Sequence, residues 1–306
     1  MNKYPMRLVP YMREMIWGGD RLKTKFNKSS ESDKIGEAWE LTCRPEAVSV
    51  IANGEYEGQT LNSLLGCGYD FPLLIKFIDA CDKLSVQVHP DDDVTDDSGV
   101  PLGKTEMWYI ISADEGAFII YGLNDGLTVS DFTKMVESNN FESGMKRIYV
   151  KPGDCYFIPA GQVHAIGEGI LLAEIQQNSD TTYRFYDYGR LGTDGRPREL
   201  HIEKALSVTR SRSDSEINKL RFSKGNEDNC LVNCDKFKCI KHVASEGKAV
   251  KISRTTFTSL VFIEGDGYIE CNEIKYPAKS GDTYYIPEGL SISVFGEILF
   301  LEASEN

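Results

Sequence analysis

Four side chains from three short segments could together hold a divalent metal ion. His164 follows a turn at Gly161 that interrupts a strand-like segment, and alternation places Gln87 and His89 on one face of LSVQVHP. Glu106 lies on the polar face of GKTEMWYII. A lone histidine is more often a hydrogen-bonded core residue, but this one has partners. These donors suit zinc, iron, manganese or nickel, with zinc the usual occupant where no redox chemistry is needed.

Further charged residues follow the histidine turn. In LLAEIQQNS, alternation places Glu174 and Gln176 on the same face. The next segment, DTTYRFYDYGR, spans residues 180–190 and contains two acidic and two basic side chains. The sequence therefore gathers acids and cations close behind the last potential metal ligand.

The order of these segments resembles that of a known family. The G-x5-P-x-G-x2-H element that ends at His164 is similar to that of the cupin superfamily. The whole arrangement is similar to the type I mannose-6-phosphate isomerases of the short bacterial kind. The segments that carry the resemblance are IWGG from Ile16, GEAWELT from Gly36, QVHPDD from Gln87, KTEMWY from Lys104, GQVHAIG from Gly161 and NSDTTYRFYDYGR from Asn178.

The resemblance implies a metal-dependent aldose-ketose isomerase. The expected reaction interconverts mannose 6-phosphate and fructose 6-phosphate through an enediol, which requires a polarised carbonyl and a positioned base. Arg184 matches the family's active-site arginine and could stabilise the enediolate. Glu174 and Asp180 occupy acidic positions of the family's site, as candidates for the base and its orienting partner. Which of the two moves the proton stays open.

The phosphate group of such a substrate needs cations and hydroxyl groups. Lys104, Ser85 and Arg190 are the candidates, because guanidinium and ammonium groups suit phosphate oxygens. The alternative for each is an ordinary surface cation or strand serine, and for Arg190 the two interpretations are equally supported.

Two other classes of function fit parts of the pattern. Cupins with two histidines and a carboxylate also include iron oxygenases, which oxygen consumption with iron would reveal. A non-catalytic sugar-phosphate-binding cupin would bind its ligand without turnover. Lys104, Arg184 and Arg190 favour an anionic substrate.

Composition narrows the partners and the compartment. The chain has 306 residues and a net charge of -13, which argues against nucleic acid as the main partner. The sequence shows no apolar run that would predict a signal peptide or a membrane span. We therefore expect a cytoplasmic protein that acts on a small sugar phosphate as a monomer or homodimer.

The eight cysteines are scattered and favour reduced thiols over a disulfide framework. Cys230, Cys234, Cys239 and His242 could form a structural zinc site, but no C-x-x-C pair is present. Buried free thiols are the simpler expectation, with one zinc ion per chain at the first site.

An internal repeat predicts the architecture. Lys279–Gly296 repeats the glycine and proline spacing around His164, but Ile292 stands in the histidine's position. Many short strands separated by glycine and proline indicate a mainly β fold with two cupin or jelly-roll barrels and a few short helices. We expect a metal-binding catalytic domain with helical insertions over residues 1–215 and a metal-free domain over 216–306.

Overall fold

The computed structural model describes residues 2–138, 140–192 and 195–306. Within these ranges the chain is mainly β, as predicted. The strands are β1 Met6–Val9, β2 Tyr11–Gly19, β3 Ile35–Leu41, β4 Cys43–Arg44, β5 Ala47–Val48, β6 Val50–Ile51, β7 Leu73–Ala80, β8 Val86–Val88, β9 Glu106–Ala113, β10 Phe118–Leu123, β11 Met145–Tyr149, β12 Cys155–Ile158, β13 His164–Ile166, β14 Ile170–Gln177, β15 Tyr183–Tyr186, β16 Cys230–Asn233, β17 Phe237–Ala244, β18 Val250–Ser253, β19 Thr258–Cys271, β20 Ile274–Lys279, β21 Thr283–Ile286 and β22 Ser291–Glu305.

Short helices fill the connections between strands. They are α1 Arg21–Thr24, α2 Leu61–Leu65, α3 Val129–Glu137, α4 Ile202–Val208 and α5 Asp214–Arg221, with 3-10 turns at Gly54–Tyr56 and Phe141–Gly144. A capping box begins α5, where Ser213 and Glu216 each bond the other's backbone N–H. Over the residues that the structure describes, no helix combines the length and apolar character needed to cross a bilayer.

Two antiparallel sheets face each other in the N-terminal part of the chain. One has the strand order β12-β9-β14-β7-β2-β3, and the other has the order β11-β10-β13-β8-β15. The Trp108 ring of the first sheet meets the His164 ring of the second edge to face, with centroids 5.5 Å apart. The space between these two sheets therefore holds the residues that the sequence singled out.

The C-terminal sheet has nine strands and includes two from the N-terminal part of the chain. β1 pairs with β21 and with β6, so residues 6–9 and 50–51 extend the C-terminal sheet. A single apolar core joins both parts, with Phe77, Met107 and Val261 among its members. The predicted boundary between residues 215 and 216 lies inside α5. We keep the division into two barrels as a proposal.

Candidate active site

A tight turn fixes the position of His164. Gly161 adopts a φ of 85°, which favours glycine, and a Cβ there would lie 2.8 Å from the Val208 carbonyl oxygen. The Gly161 N–H donates to the His89 carbonyl oxygen at 2.8 Å. The turn therefore joins the segments that carry the two histidines.

His89, Glu106 and His164 form a buried cluster whose potential ligand atoms all lie within 4.8 Å of one another. Glu106 Oε2 is 3.5 Å from His89 Nε2, and Glu106 Oε1 is 3.6 Å from His164 Nε2. Gln87 lies beside the same point, with its Nε2 3.2 Å from His164 Nε2; an amide binds a metal through its oxygen, so Gln87 would have to turn its Oε1, which here accepts from Ser85 Oγ, toward the cluster. In the sheet, Gln87 is the cross-strand partner of His164. The structure thus brings together the four predicted metal ligands.

Both imidazoles are oriented for metal binding. His89 Nδ1 lies 2.8 Å from the Thr181 carbonyl oxygen, and His164 Nδ1 lies 2.8 Å from that of Gln162. A carbonyl can only accept, so each Nδ1 carries the proton and each Nε2 keeps its lone pair for the cluster. Burial lowers the pKa of His164 to about 4. Burial, followed by the Lys104 ammonium, lowers the pKa of His89 far below its ordinary value.

The donor set fits a divalent cation. Among the described residues, neither buried oxygen of Glu106 has a well-formed hydrogen bond, although Lys104 Nζ lies 3.0 Å from Oε2. A buried carboxylate without such partners is costly, and a cation between two neutral imidazoles would compensate it. The predicted residues therefore fit the metal that the sequence pattern implied.

A cavity opens beside this cluster. Arg13, Trp17, Glu37, Lys76, Ser85, Gln87, Lys104, Glu174, Asp180, Thr182, Arg184 and Arg198 are among the residues that line it. The proposed bases, the active-site arginine, Lys104 and Ser85 thus share one space. Five cationic side chains face three carboxylates in this lining, a balance that suits an anionic ligand.

Glu174 and Lys104 are both buried on this wall. Trp108 Nε1 donates to Glu174 Oε2 at 3.0 Å, and Lys76 Nζ lies 3.2 Å from Glu174 Oε1. Lys104 Nζ lies 3.2 Å from His89 Nε2, so it belongs to the metal end of the cavity.

Asp180 and Arg184 are the other two predicted catalytic residues in the cavity lining. Asp180 keeps 40% of its side chain exposed and pairs with Arg13 Nη1 at 3.3 Å. The buried Nε of Arg184 has no hydrogen-bond partner within the described part of the chain, which leaves it available to an anion. Burial, followed by the charge of Arg198, lowers the pKa of Arg184 from its ordinary value.

Arg190 lies away from the cavity lining. Its guanidinium pairs with Asp187 at 2.8 Å and Asp82 at 3.1 Å, and it donates to the Lys83 carbonyl oxygen at 2.6 Å. Arg198 lines the cavity in its place while also bonding Asp187. Asp187 and Asp82 therefore hold the Arg190 guanidinium outside the cavity lining.

The four C-terminal residues considered for structural zinc make other contacts. Cys230 Sγ donates to the Val232 carbonyl oxygen and Cys234 Sγ to that of Phe237. His242 Nε2 lies 2.7 Å from Glu302 Oε2. The cysteines are free thiols, and in the described ranges the metal-like cluster is the one at His89.

Several cavity residues escaped the sequence reasoning. Lys76 lies in the apolar run of β7, and Glu37 belongs to the GEAWELT segment, whose role was left unassigned. Arg13 and Arg198 had no local signal, because their partners are distant in the chain. The available sign was a charged residue in an apolar strand, and β7 has two of these, Lys76 and Asp79.

Comparison with known proteins gives the family. Residues 6–115 match the phosphomannose isomerase type I catalytic domain. The chain is 39% identical to mannose-6-phosphate isomerase ManA of Bacillus subtilis over 303 residues, 95% of each chain. It is 37% identical to the mannose-6-phosphate isomerase of Streptococcus mutans, covering 99% of this chain and 98% of that one. A crystal structure of the Bacillus subtilis mannose 6-phosphate isomerase superposes with a TM-score of 0.86 at 33% identity, covering 99% of this chain and all of that one. The chain therefore belongs to the type I mannose-6-phosphate isomerase family.

Proposed function

We propose that this enzyme interconverts mannose 6-phosphate and fructose 6-phosphate with one zinc ion per chain. The observation that carries the proposal is the buried His89, Glu106 and His164 cluster beside a cavity that contains Arg184 and Glu174. Two imidazoles, a carboxylate and the Gln87 amide suit zinc where no redox step is needed. A zinc ion held there would polarise the sugar carbonyl and the neighbouring hydroxyl.

Glu174 is our candidate for the base. The proton on C2 of the aldose would pass to its carboxylate and return to C1 of the enediol, while the hydroxyl proton on O2 moves to O1, which gives the ketose. Glu174 is buried and fixed by Trp108, whereas Asp180 is 40% exposed and paired with Arg13. We therefore assign Asp180 an orienting role through Arg13 and leave proton transfer to Glu174.

Arg184 and Lys104 would stabilise the negative charge that develops on the enediolate oxygens. Lys104 lies beside His89 and Glu106, where the carbonyl end of the sugar would sit. The free Nε of Arg184 offers a further charged donor. Preorganised cations in a water-poor site stabilise such an intermediate more strongly than they would in bulk water.

The phosphate would bind away from the metal end. Arg198 and Thr182 line the cavity, with Ser85 at its wall. Ser85 Oγ donates to Gln87 Oε1 at 3.0 Å, so its hydroxyl proton is already used and it would act as an acceptor or by fixing Gln87. We therefore propose Arg198, instead of Arg190, as the main phosphate cation.

Two broader expectations remain part of the proposal. Eight free thiols favour a reducing compartment, so we propose that the enzyme acts in the cytoplasm. The sequence expectation of a monomer or homodimer likewise stays a prediction, to be checked by light scattering.

Turnover in D₂O tests the reaction and its route together. We expect mannose 6-phosphate to give fructose 6-phosphate that carries solvent deuterium at C1, because an enediol exchanges its proton through the base. Glu174→Gln should lose both product and label by about 100-fold or more. Lys134→Met, on the exposed face of α3, is the matched control and should behave as the wild type.

Two results would contradict the proposal. A folded, zinc-loaded protein that gives no ketose would refute the substrate assignment, and iron-dependent oxygen uptake by the same protein would favour an oxygenase. Product without deuterium at C1 would refute the exchanging base.

A further inference from the structure

The geometry points to Lys76 as a positioning residue for the isomerisation: its ammonium fixes the Glu174 carboxylate in a single orientation toward the cavity. This inference rests on the proposed role of Glu174 as the base and adds the group that holds it. Lys76 is one of the two charged residues of the otherwise apolar strand β7, and the proposed mechanism gives it no role.

Lys76 is buried in β7, a strand whose core positions are apolar except for Lys76 and Asp79. The residue is 3% exposed, and its neighbours Ile75 and Phe77 are fully buried. An ammonium in such a place is costly unless opposite charge lies beside it. Glu174 Oε1 at 3.2 Å and Glu37 Oε2 at 4.0 Å supply that charge.

The sheet register places Lys76 in a row that crosses four adjacent strands. Trp39 of β3 is the cross-strand partner of Lys76, Lys76 is the partner of Glu174, and Glu174 is the partner of Trp108. Side chains that are directly paired across antiparallel strands project on the same face. The row therefore reads Trp39, Lys76, Glu174, Trp108, with the ion pair between two indoles.

Both oxygens of Glu174 are consequently constrained. The Trp108 indole N–H holds Oε2 at 3.0 Å, and Oε1, which has no hydrogen bond among the described residues, is held by the charge of the Lys76 ammonium 3.2 Å away. Loss of the lysine would leave one hydrogen bond, about which the carboxylate could rotate. A base that is displaced by about 1 Å can lose two orders of magnitude in rate.

Lys76 is itself held from the opposite side. Its Nζ lies 5.0 Å from the centre of the Trp39 ring, within range of a cation-π contact. The Trp39 indole N–H donates to Glu37 Oε2 at 2.6 Å, and Arg13 Nη1 lies 3.4 Å from the same oxygen. The Glu37 and Trp39 pair from the GEAWELT segment thus has a role, which is to hold the lysine.

The charges around Glu174 come from several elements. Lys76 on β7, Lys104 ahead of β9, Glu106 on β9 and His164 on β13 all act on its electrostatic environment. Burial raises the pKa of Glu174, but Lys76 and then Lys104 outweigh it, so the pKa falls below its ordinary value. Lys76 therefore supports the ionised form as well as its orientation.

Kinetics of Lys76→Met and Lys76→Arg test the inference. We expect Lys76→Met to lower kcat about 100-fold while KM stays within about threefold, because substrate contacts remain. Lys76→Arg should recover at least tenfold of that loss. In the Glu174→Gln background, Lys76→Met should cost less than about threefold further, since a positioning residue has nothing left to position.

A second readout needs no substrate. The chain has 3 tryptophans, so its indole N–H signals in a ¹H-¹⁵N spectrum are few, and Trp108→Phe assigns the relevant one. The Trp108 indole signal should move in Lys76→Met and return toward its position in Lys76→Arg. Lys134→Met, an exposed lysine, is the control and should leave it unchanged.

The outcomes separate this inference from the proposed function. If the wild type does not isomerise mannose 6-phosphate, the proposed function fails and the Trp108 signal alone decides whether Lys76 fixes Glu174. An unmoved signal, a kcat within threefold of wild type, or equal loss in the Glu174→Gln background would overturn the inference. Should Lys76→Met fail to fold, Lys76→Gln serves instead, because a buried amide costs less and lacks the charge; the same limits apply to it.

Discussion

Loss of Arg254 should destabilise the C-terminal sheet, because this residue, at the position that corresponds to His89, compensates a buried carboxylate. Ile252 pairs with Ile292 as Gln87 pairs with His164, so Arg254, two residues after Ile252, corresponds to His89. Glu302 lies ten residues after Ile292, as Glu174 lies ten after His164. Glu302 is thus a buried carboxylate at the position that corresponds to Glu174, and the Arg254 guanidinium lies beside it.

The contacts set the size of the effect. Arg254 Nε and Nη2 donate to the two oxygens of Glu302 at 2.6 and 3.0 Å, and the Glu302 side chain is 3% exposed. Hydrogen bonds to a charged group contribute about 1.5 to 3 kcal/mol each. Arg254 is itself 39% exposed, so solvent screens part of this interaction. Arg254→Met should therefore lower the free energy of unfolding by about 2 to 3 kcal/mol.

Urea denaturation followed by circular dichroism measures this loss. Lys251→Met, which changes an exposed residue of β18 just ahead of Arg254, should stay within about 0.5 kcal/mol of wild type. The double variant Arg254→Met with Glu302→Gln should recover about half of the loss, because it removes the stranded charge. An Arg254→Met protein as stable as the control would refute the idea that the guanidinium compensates Glu302.

The Arg254 and Glu302 pair also predicts a pH dependence, and the cavity and the metal cluster give one further prediction each. Burial raises the pKa of Glu302, but hydrogen bonds from His242 and Arg254 outweigh it and hold the pKa below its ordinary value. The difference in free energy of unfolding between wild type and Arg254→Met, measured in urea, should thus be full at pH 7 and disappear as the pH falls below about 4. Arg198→Met should raise KM about 10-fold to 100-fold in a steady-state assay. Arg190→Met should leave KM within about threefold in the same assay and should lower the melting temperature in a thermal scan. Gln87→Leu should weaken zinc binding by about 10-fold to 100-fold in competition with a chelator, and unchanged affinity would remove the amide from the ligand set.

Local patterns predicted which side chains meet at the proposed metal end of the site. Two-residue alternation places Gln87 and His89 on one face, and glycine spacing identifies the turn before His164. Both signals are contained in a few neighbouring residues, and the structure brings these side chains together at Glu106. The mainly β fold was likewise readable, because its many strands are short and separated by turn residues.

Long-range pairing limited the rest of the prediction. The largely apolar sequence of β7 is typical of a buried strand, but nothing near Lys76 in the sequence indicates that Glu174 and Glu37 lie beside it. Arg190 has the right residue type and segment for phosphate binding, yet Asp82 and Asp187 bind it. Sequence spacing cannot show which of several cationic side chains will form an ion pair with a given acidic side chain in the folded protein.

The sharing of strands between the two parts of the chain was also invisible in sequence. β1 joins the C-terminal sheet through β21, although the two strands lie at opposite ends of the chain. A linear boundary cannot describe such an exchange. The common apolar core around Phe77 and Val261 explains its physical benefit, since each part buries surface that it would otherwise expose.

Metal-restored turnover tests the central claim most directly. Fructose 6-phosphate formation from mannose 6-phosphate would be measured on chelated protein and again after zinc is added back, with the bound metal counted in each sample. The account predicts activity that returns in proportion to zinc up to one ion per chain, and His89→Ala that stays folded but recovers neither zinc nor activity. Full activity in the chelated protein, or zinc-saturated protein that forms no product, would contradict it.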